Sequence, residues 1–209
     1  MIKVLSTNIT SPLGYTTKEN YLAVKGGRSR LSMHSNWRGV PQPFTASLFD
    51  EEQEISLLID GYTRYESFSI HSIQEALSHI NINVGSNRTA LILSTTKANV
   101  EELTSNAEND GNYSKPGESA TKIARYIGFT TDPIVVCNAC ISGVTAQILA
   151  DRLISQGAYD TVVVCGADCQ SPFVVAGFMS FKSLSPYECR PFDIERLGLN
   201  LGDAAATIV

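Results

Sequence analysis

The chain has 209 residues, of which 43% are hydrophobic and 18% charged, with a formal net charge of −5. That length suffices for one domain with a sizeable core. The negative balance argues against a nucleic-acid backbone as partner, while leaving room for a local basic patch that meets an acidic protein. No run approaches the roughly 18 apolar residues of a membrane helix. The opening MIKVLSTNITSPLG has no charged-then-apolar leader, so a cytoplasmic protein is expected. Five cysteines (Cys137, Cys140, Cys165, Cys169 and Cys189) crowd the last third of the chain. An odd count without a leader predicts reduced thiols rather than a disulfide framework. The three histidines, His34, His71 and His79, all precede them.

Apolar runs alternate with helical spacing along the chain. Residues 2–9 read as a strand, followed by the turn TSPLG and a helix that starts at Thr16 or Thr17 and stops at Gly26 and Gly27. Residues 28–61 look irregular, with one short strand near 44–48. Tyr65, Phe68, Ile73, Leu77 and Ile80 are spaced as on a helix over 62–80. RTALILST (88–95) predicts a buried strand, 98–109 a polar helix, 109–117 a loop, and ESATKIARYIGF a helix stopped by Gly128. DPIVVCN (132–138) predicts a strand whose Pro133 suits a sheet edge. An apolar helix then runs to Gly157, and TVVVCGAD (161–168) reads as a strand covered on both faces. A looped stretch from 178 to 193 leads to a last strand in GDAAATIV. The order β-α-β-α-β-α-β-β predicts a layered α/β domain with a mixed, mainly parallel sheet and helices on both faces.

The spacing of Cys137 and Cys140 admits several readings. A zinc site needs four ligands, and no histidine follows to supply them. A redox pair needs both thiols in the first turn of a helix, and Cys137 precedes the turn. Burial as a small apolar residue, the usual fate of a free cysteine, is the expectation for Cys137 and Cys165. Cys140 instead occupies the bend between strand and helix, with Ala139 before it and Ser142-Gly143 after it. The positive end of a helix there favours a thiolate, and small neighbours give a substrate access. On these grounds Cys140 is equally a nucleophile or a core residue.

Five segments, in register, resemble the β-ketoacyl-acyl-carrier-protein synthases, condensing enzymes of the thiolase fold. They are SPLG with GGRS (11–14, 26–29), NACISG (138–143), ISQGAYDTVVVCGAD (154–168), AGFMSFKSLSP (176–186) and CRPFDIERLGLNLGDAAA (189–206). The resemblance spans nearly all of residues 1–209 and corresponds to the N-terminal half of the family's fold. It implies that Cys140 is the acylated nucleophile, with its own backbone N–H as half of an oxyanion hole, and that Phe178 borders the acyl site. Neither a metal nor a cofactor is implied. The implied partner is an acyl carrier protein bearing acyl and malonyl thioesters, with coenzyme A as the alternative carrier. A homodimer joined through strand 132–138 is also implied.

Asn138 stands where the family more often has Thr, and Leu199, Asn200 and Ala204 replace a Phe, a Val and a Gly. These changes put a saturated fatty-acyl substrate in question. Arg190 and Asp193 are expected to pair or to cap a turn, and Gly198 to be architectural. The family's second half carries two histidines, a lysine and a glycine-rich loop without counterparts here. The expectation is therefore a nucleophile-bearing half, completed by further sequence or by a second chain. The alternative is a non-catalytic partner that sets chain length for a true synthase.

Overall fold

The computed structural model describes residues 2–105 and 115–209. Its centre is a five-stranded sheet in the order β1-β8-β6-β4-β5. These strands are β1 (Thr7–Thr10), β8 (Ala204–Ile208), β6 (Thr161–Asp168), β4 (Thr89–Ser94) and β5 (Ile134–Val136). β4 pairs in parallel with both β5 and β6, whereas β8 runs antiparallel to β6 and to β1. The carboxyl ends of β4, β5 and β6 therefore lie along one edge of the sheet. All six residues of β4 are buried, as befits a central strand covered on both faces.

Alternation along the strands divides the interior in two. Val163, Cys165 and Ala167 of β6 face a core built with α3 (Arg64–Ser78) and α5 (Pro116–Ile127). Val162 and Val164 face a smaller core under α6 (Ser142–Ser155). On β5, Ile134 and Val136 join the α6 side and Val135 the other, as period-two alternation requires. α1 (Thr17–Lys25) starts at Thr16, where a capping box with Glu19 satisfies the end. α5 stops at Gly128, whose φ of +99° is left-handed and suits glycine.

The structure adds elements to the expected order. A second sheet, β2-β3-β7, joins β2 (Ser32–His34), β3 (Phe44–Ser47) and β7 (Leu201–Gly202). Residues 28–61, read as irregular, also hold α2 (Glu51–Leu57), capped by Asp50 with Gln53. The stretch read as a loop from 178 begins inside a further helix, α7 (Pro172–Ser180), opened by Ser171 and Pro172. The first strand starts at Thr7 rather than residue 2. Even so, Leu5 N–H donates to the Val209 carbonyl at 2.7 Å and extends that edge. Of the polar helix expected over 98–109, only α4 (Glu102–Ser105) is helical among the described residues, and residues 106–114 lie outside them. Pro116 and Gly117, expected in a loop, open α5, because proline is well suited to a first helical turn. Gly198 is architectural: with φ +147°, a Cβ there would meet the Ser183 carbonyl oxygen at 2.4 Å.

Candidate active site at the carboxyl edge

β5 ends at Val136, whose carbonyl accepts the Thr95 N–H at 3.1 Å. Five residues then turn the chain into α6. Ala139 holds φ +45°, an uncommon conformation for a residue with a side chain. Ser142, buried, stitches this bend: its hydroxyl accepts the Asn138 N–H at 2.8 Å and donates to the Ala139 carbonyl at 2.7 Å. The Asn138 carbonyl accepts Ile141 N–H at 3.1 Å, and the Asn138 amide donates to Thr145 Oγ1 at 3.0 Å. The result is a rigid turn that holds Cys140 out, exposed, at the start of α6. No side chain caps that helix end, where unsatisfied N–H groups favour negative charge.

The five thiols separate by place. Cys165 and Cys169 are buried; burial pushes the first up to about 11 and the second well above the ordinary thiol range. Cys189 is half-buried. Cys137, expected to be buried, is exposed instead. The strand ends one residue before it, so alternation no longer turns its side chain into a sheet face. Among the described residues, no three His, Cys, Asp or Glu side chains gather to hold a metal ion.

Phe178 lies on α7, half-buried, and its carbonyl accepts the Ser183 N–H at 3.0 Å. α7 follows the carboxyl end of β6 as the Cys140 bend follows that of β5, with β4 between them. Both residues thus belong to segments that leave the same sheet edge. The histidines do not. His71 is half-buried on α3, across the sheet from α6, and burial lowers its pKa against the pull of Glu75. His79 ends the same helix and sits 3.3 Å from Glu75. His34 is in β2 with its ring 5.5 Å from that of Phe44. Arg190 approaches Glu195 at 3.7 Å rather than Asp193, whose carboxylate accepts the Glu195 N–H and so caps a turn.

Sequence reasoning missed a charged cluster behind this edge. Arg64, at the start of α3, pairs with Glu54, with Glu101 at 3.0 Å and with Asp203 at 3.5 Å. Arg38 joins Glu54 at 3.1 Å and Glu101 at 2.6 Å. Burial works against the charge on Arg64, and Cys169, Asp203, Glu54 and Glu101 together outweigh it, so the guanidinium is held above its ordinary value. Asp203 is buried between β7 and β8, and burial pushes its carboxyl up to about 6 against the pull of Arg64. An acidic residue inside the apolar run LGDAAATIV was the available signal, since a charge there needs a partner.

Residues 25–209 match the family profile described as the N-terminal domain of beta-ketoacyl synthase. A protein named as a polyketide beta-ketoacyl synthase in Streptomyces virginiae is 30% identical over 104 residues, 47% of this chain and 25% of that one. Nodulation protein E of Rhizobium sp. (strain N33) is 30% identical over 95 residues, 45% of this chain and 24% of its own. A beta-ketoacyl synthase from Burkholderia phymatum STM815 superposes with a TM-score of 0.84 at 19% identity, covering 98% of this chain and 57% of that one. A ketosynthase structure in complex with its chain length factor, from Xenorhabdus doucetiae, gives 0.76 at 22% identity, covering 98% and 56%. The matched segments span about a quarter of the sequence relatives, and the chain just over half of the solved ones. At those identities the structural likeness establishes the thiolase-like fold. With the profile matched over most of its length, the chain belongs to the beta-ketoacyl synthase family and carries that family's N-terminal domain.

Proposed function

We propose that this chain is the nucleophile-bearing half of a 3-oxoacyl synthase acting on carrier-protein thioesters in fatty acid, polyketide or aryl-polyene synthesis. The observation that carries the reading is the exposed Cys140, held by Ser142 in a strand–helix bend at the carboxyl edge of the sheet. Cys140 sulfur attacks the acyl thioester carbonyl, the carrier thiol leaves with the proton, and an acyl-enzyme remains. Its own backbone N–H is one donor to the oxyanion. A malonyl thioester then loses carbon dioxide, its α-carbon attacks the acyl-enzyme, and Cys140 departs as the 3-oxoacyl thioester forms. Phe178 borders the acyl chain.

The groups that assist decarboxylation come from a second half, in further sequence or another chain. Exposed Ile141, Val144 and Ile148 support this, because they leave an apolar stripe along α6 beside Cys140. Two such assemblies join through β5, at the edge of the sheet, in a reducing cytoplasm that keeps the thiols free. A chain-length-setting partner is the second reading, favoured by fold neighbours solved as ketosynthase–chain length factor pairs. The retained Cys140 weighs for the enzyme.

The test is mass-spectrometric mapping after exposure to a limiting acyl thioester. An acyl adduct on Cys140 is expected, with Cys137, also exposed, unmodified, and Cys140→Ala should abolish it. Acylation of Cys137 instead would remove the reading.

A further inference from the structure

The cluster behind the carboxyl edge grips one residue, Gln170. Asp203 Oδ1 accepts the Gln170 N–H at 2.6 Å, and Arg64 Nη1 donates to the Gln170 carbonyl at 3.2 Å. The Gln170 side chain adds a third tie, Nε2 to the Gly202 carbonyl at 2.7 Å. Asp203 Oδ2 also accepts the Phe49 N–H at 3.3 Å, and the Asp203 N–H donates to the Ser47 carbonyl at 2.9 Å. Residue 170 is the hinge of α7: Asp168 ends β6, and Ser171 caps the helix through the Val174 N–H. Elsewhere the helix is held by packing, with half-buried Met179 against the small core of Phe44 and Ala46. Only Val174 and Val175 are buried on it, and Val175 reaches the small core with Phe44 and Ala46. Cavities of about 250 and 240 Å³ flank Arg64, so its side chain has room to move if a partner is lost.

We propose that Asp203 and Arg64 are positioning residues that clamp Gln170 through its backbone N–H and C=O and so fix where α7 presents Phe178. The clamp links three separate parts of the fold: the start of α3, the β6–α7 bend and the β7–β8 turn. A buried acid and a largely buried base, placed on the N–H and C=O of one residue, orient the two peptide groups around it more tightly than packing of Val174, Val175 and Met179 alone. Charge-assisted hydrogen bonds of this kind are also shorter and stronger than neutral ones. The acyl-site consequence rests on the reading of Phe178 given above; the clamp itself does not.

Two measurements on the native assembly containing the chain test this separately. In Asp203→Ala, amide hydrogen exchange across 170–178 should quicken by about tenfold while α6 keeps its protection, since the charge-assisted bond from Gln170 N–H is lost there. Asp203→Asn should restore part of the protection, because its one oxygen still takes one N–H, and it carries the test if the alanine variant does not fold. Unchanged exchange in α7 with both variants overturns the clamp. The second readout is the kcat/KM ratio between a short and a long acyl donor. Phe178→Ala and Asp203→Ala should shift it in the same direction, and the double variant should shift it no further. Additive shifts overturn the link from Asp203 to Phe178. A ratio untouched by Phe178→Ala alone refutes the acyl-site reading of Phe178, and hydrogen exchange still decides the clamp.

Discussion

An ionisable side chain buried among charges reports its surroundings in the pH dependence of stability. Around Asp203 stand Arg64 from α3, Glu54 from α2 and Cys169 from the β6–α7 bend, and Glu101 pairs with the same Arg64. Burial raises its pKa from 3.8 to about 6 in the fold. The fold therefore prefers the protonated acid. That preference is fully present below about pH 4, the unfolded value, and is lost as pH rises through about 6. It corresponds to on the order of 3 kcal/mol between the two limits. Asp203→Asn removes the titration, so wild-type stability relative to the variant should fall between pH 4 and pH 7. Urea unfolding of both proteins across that range checks it, and a flat difference would refute the assigned shift. A variant of undiminished stability at pH 7 also separates local loosening of α7 from general unfolding.

Among the elements, β5 is a terminal strand of the main sheet, at the end opposite β1. Val136 hydrogen-bonds toward β4, so by alternation the backbone groups of Val135 point outward. An unpaired apolar edge invites another strand, and a two-fold copy of the same strand supplies it. Val135→Pro should remove the outward donor while keeping the bonds to β4, and abolish self-association. Lysine at that position is a poorer probe, because the Val135 side chain packs partly into the core with α3 and α5. Light scattering at micromolar concentration should show a dimer for the wild type and a monomer for the variant.

The same elements show what the sequence made legible. The strands of TALILS and TVVVCGAD are unbroken apolar runs, and α3 and α5 are periodic and capped, so their patterns carry their structures. α7 is apolar on nearly every side and has no period to read, although Ser171-Pro172 marked its start. α2 is seven residues long, too short for periodicity, and only the Asp50–Gln53 spacing announced it. At the site, the bend around Cys140 was readable from its small residues. The Asp203–Arg64–Gln170 cluster was not, because its members are far apart in sequence and meet only when the sheets assemble.

At the scale of the molecule, the apolar stripe exposed on α6 bears on the proposed second half. On the proposed reading that half supplies the second oxyanion donor and the proton-handling groups, and loss of one donor alone costs about 10²–10³ in rate. The 209-residue chain by itself should accept an acyl group on Cys140 yet form 3-oxoacyl product at under about a hundredth of the rate of the completed assembly. Product measured by mass spectrometry with malonyl-carrier protein checks this. Full turnover by the chain alone would mean that its own residues complete the site.

The pairing of β1 with β8 sets a schedule for synthesis. Thr7 meets Ile208 and Thr10 meets Ala205, so once made β1 waits for β8, which is synthesised much later. At about 5–20 residues per second that wait lasts on the order of 10–40 seconds. Throughout it Val4, Leu5 and Ile9 have no sheet to join, and so distant a pairing is slow to close. Among the described strands, β1 thus waits longest for its partner. A ribosome stalled before residue 204 should leave β1 open to protease, whereas one stalled far enough beyond 209 for β8 to emerge should protect it.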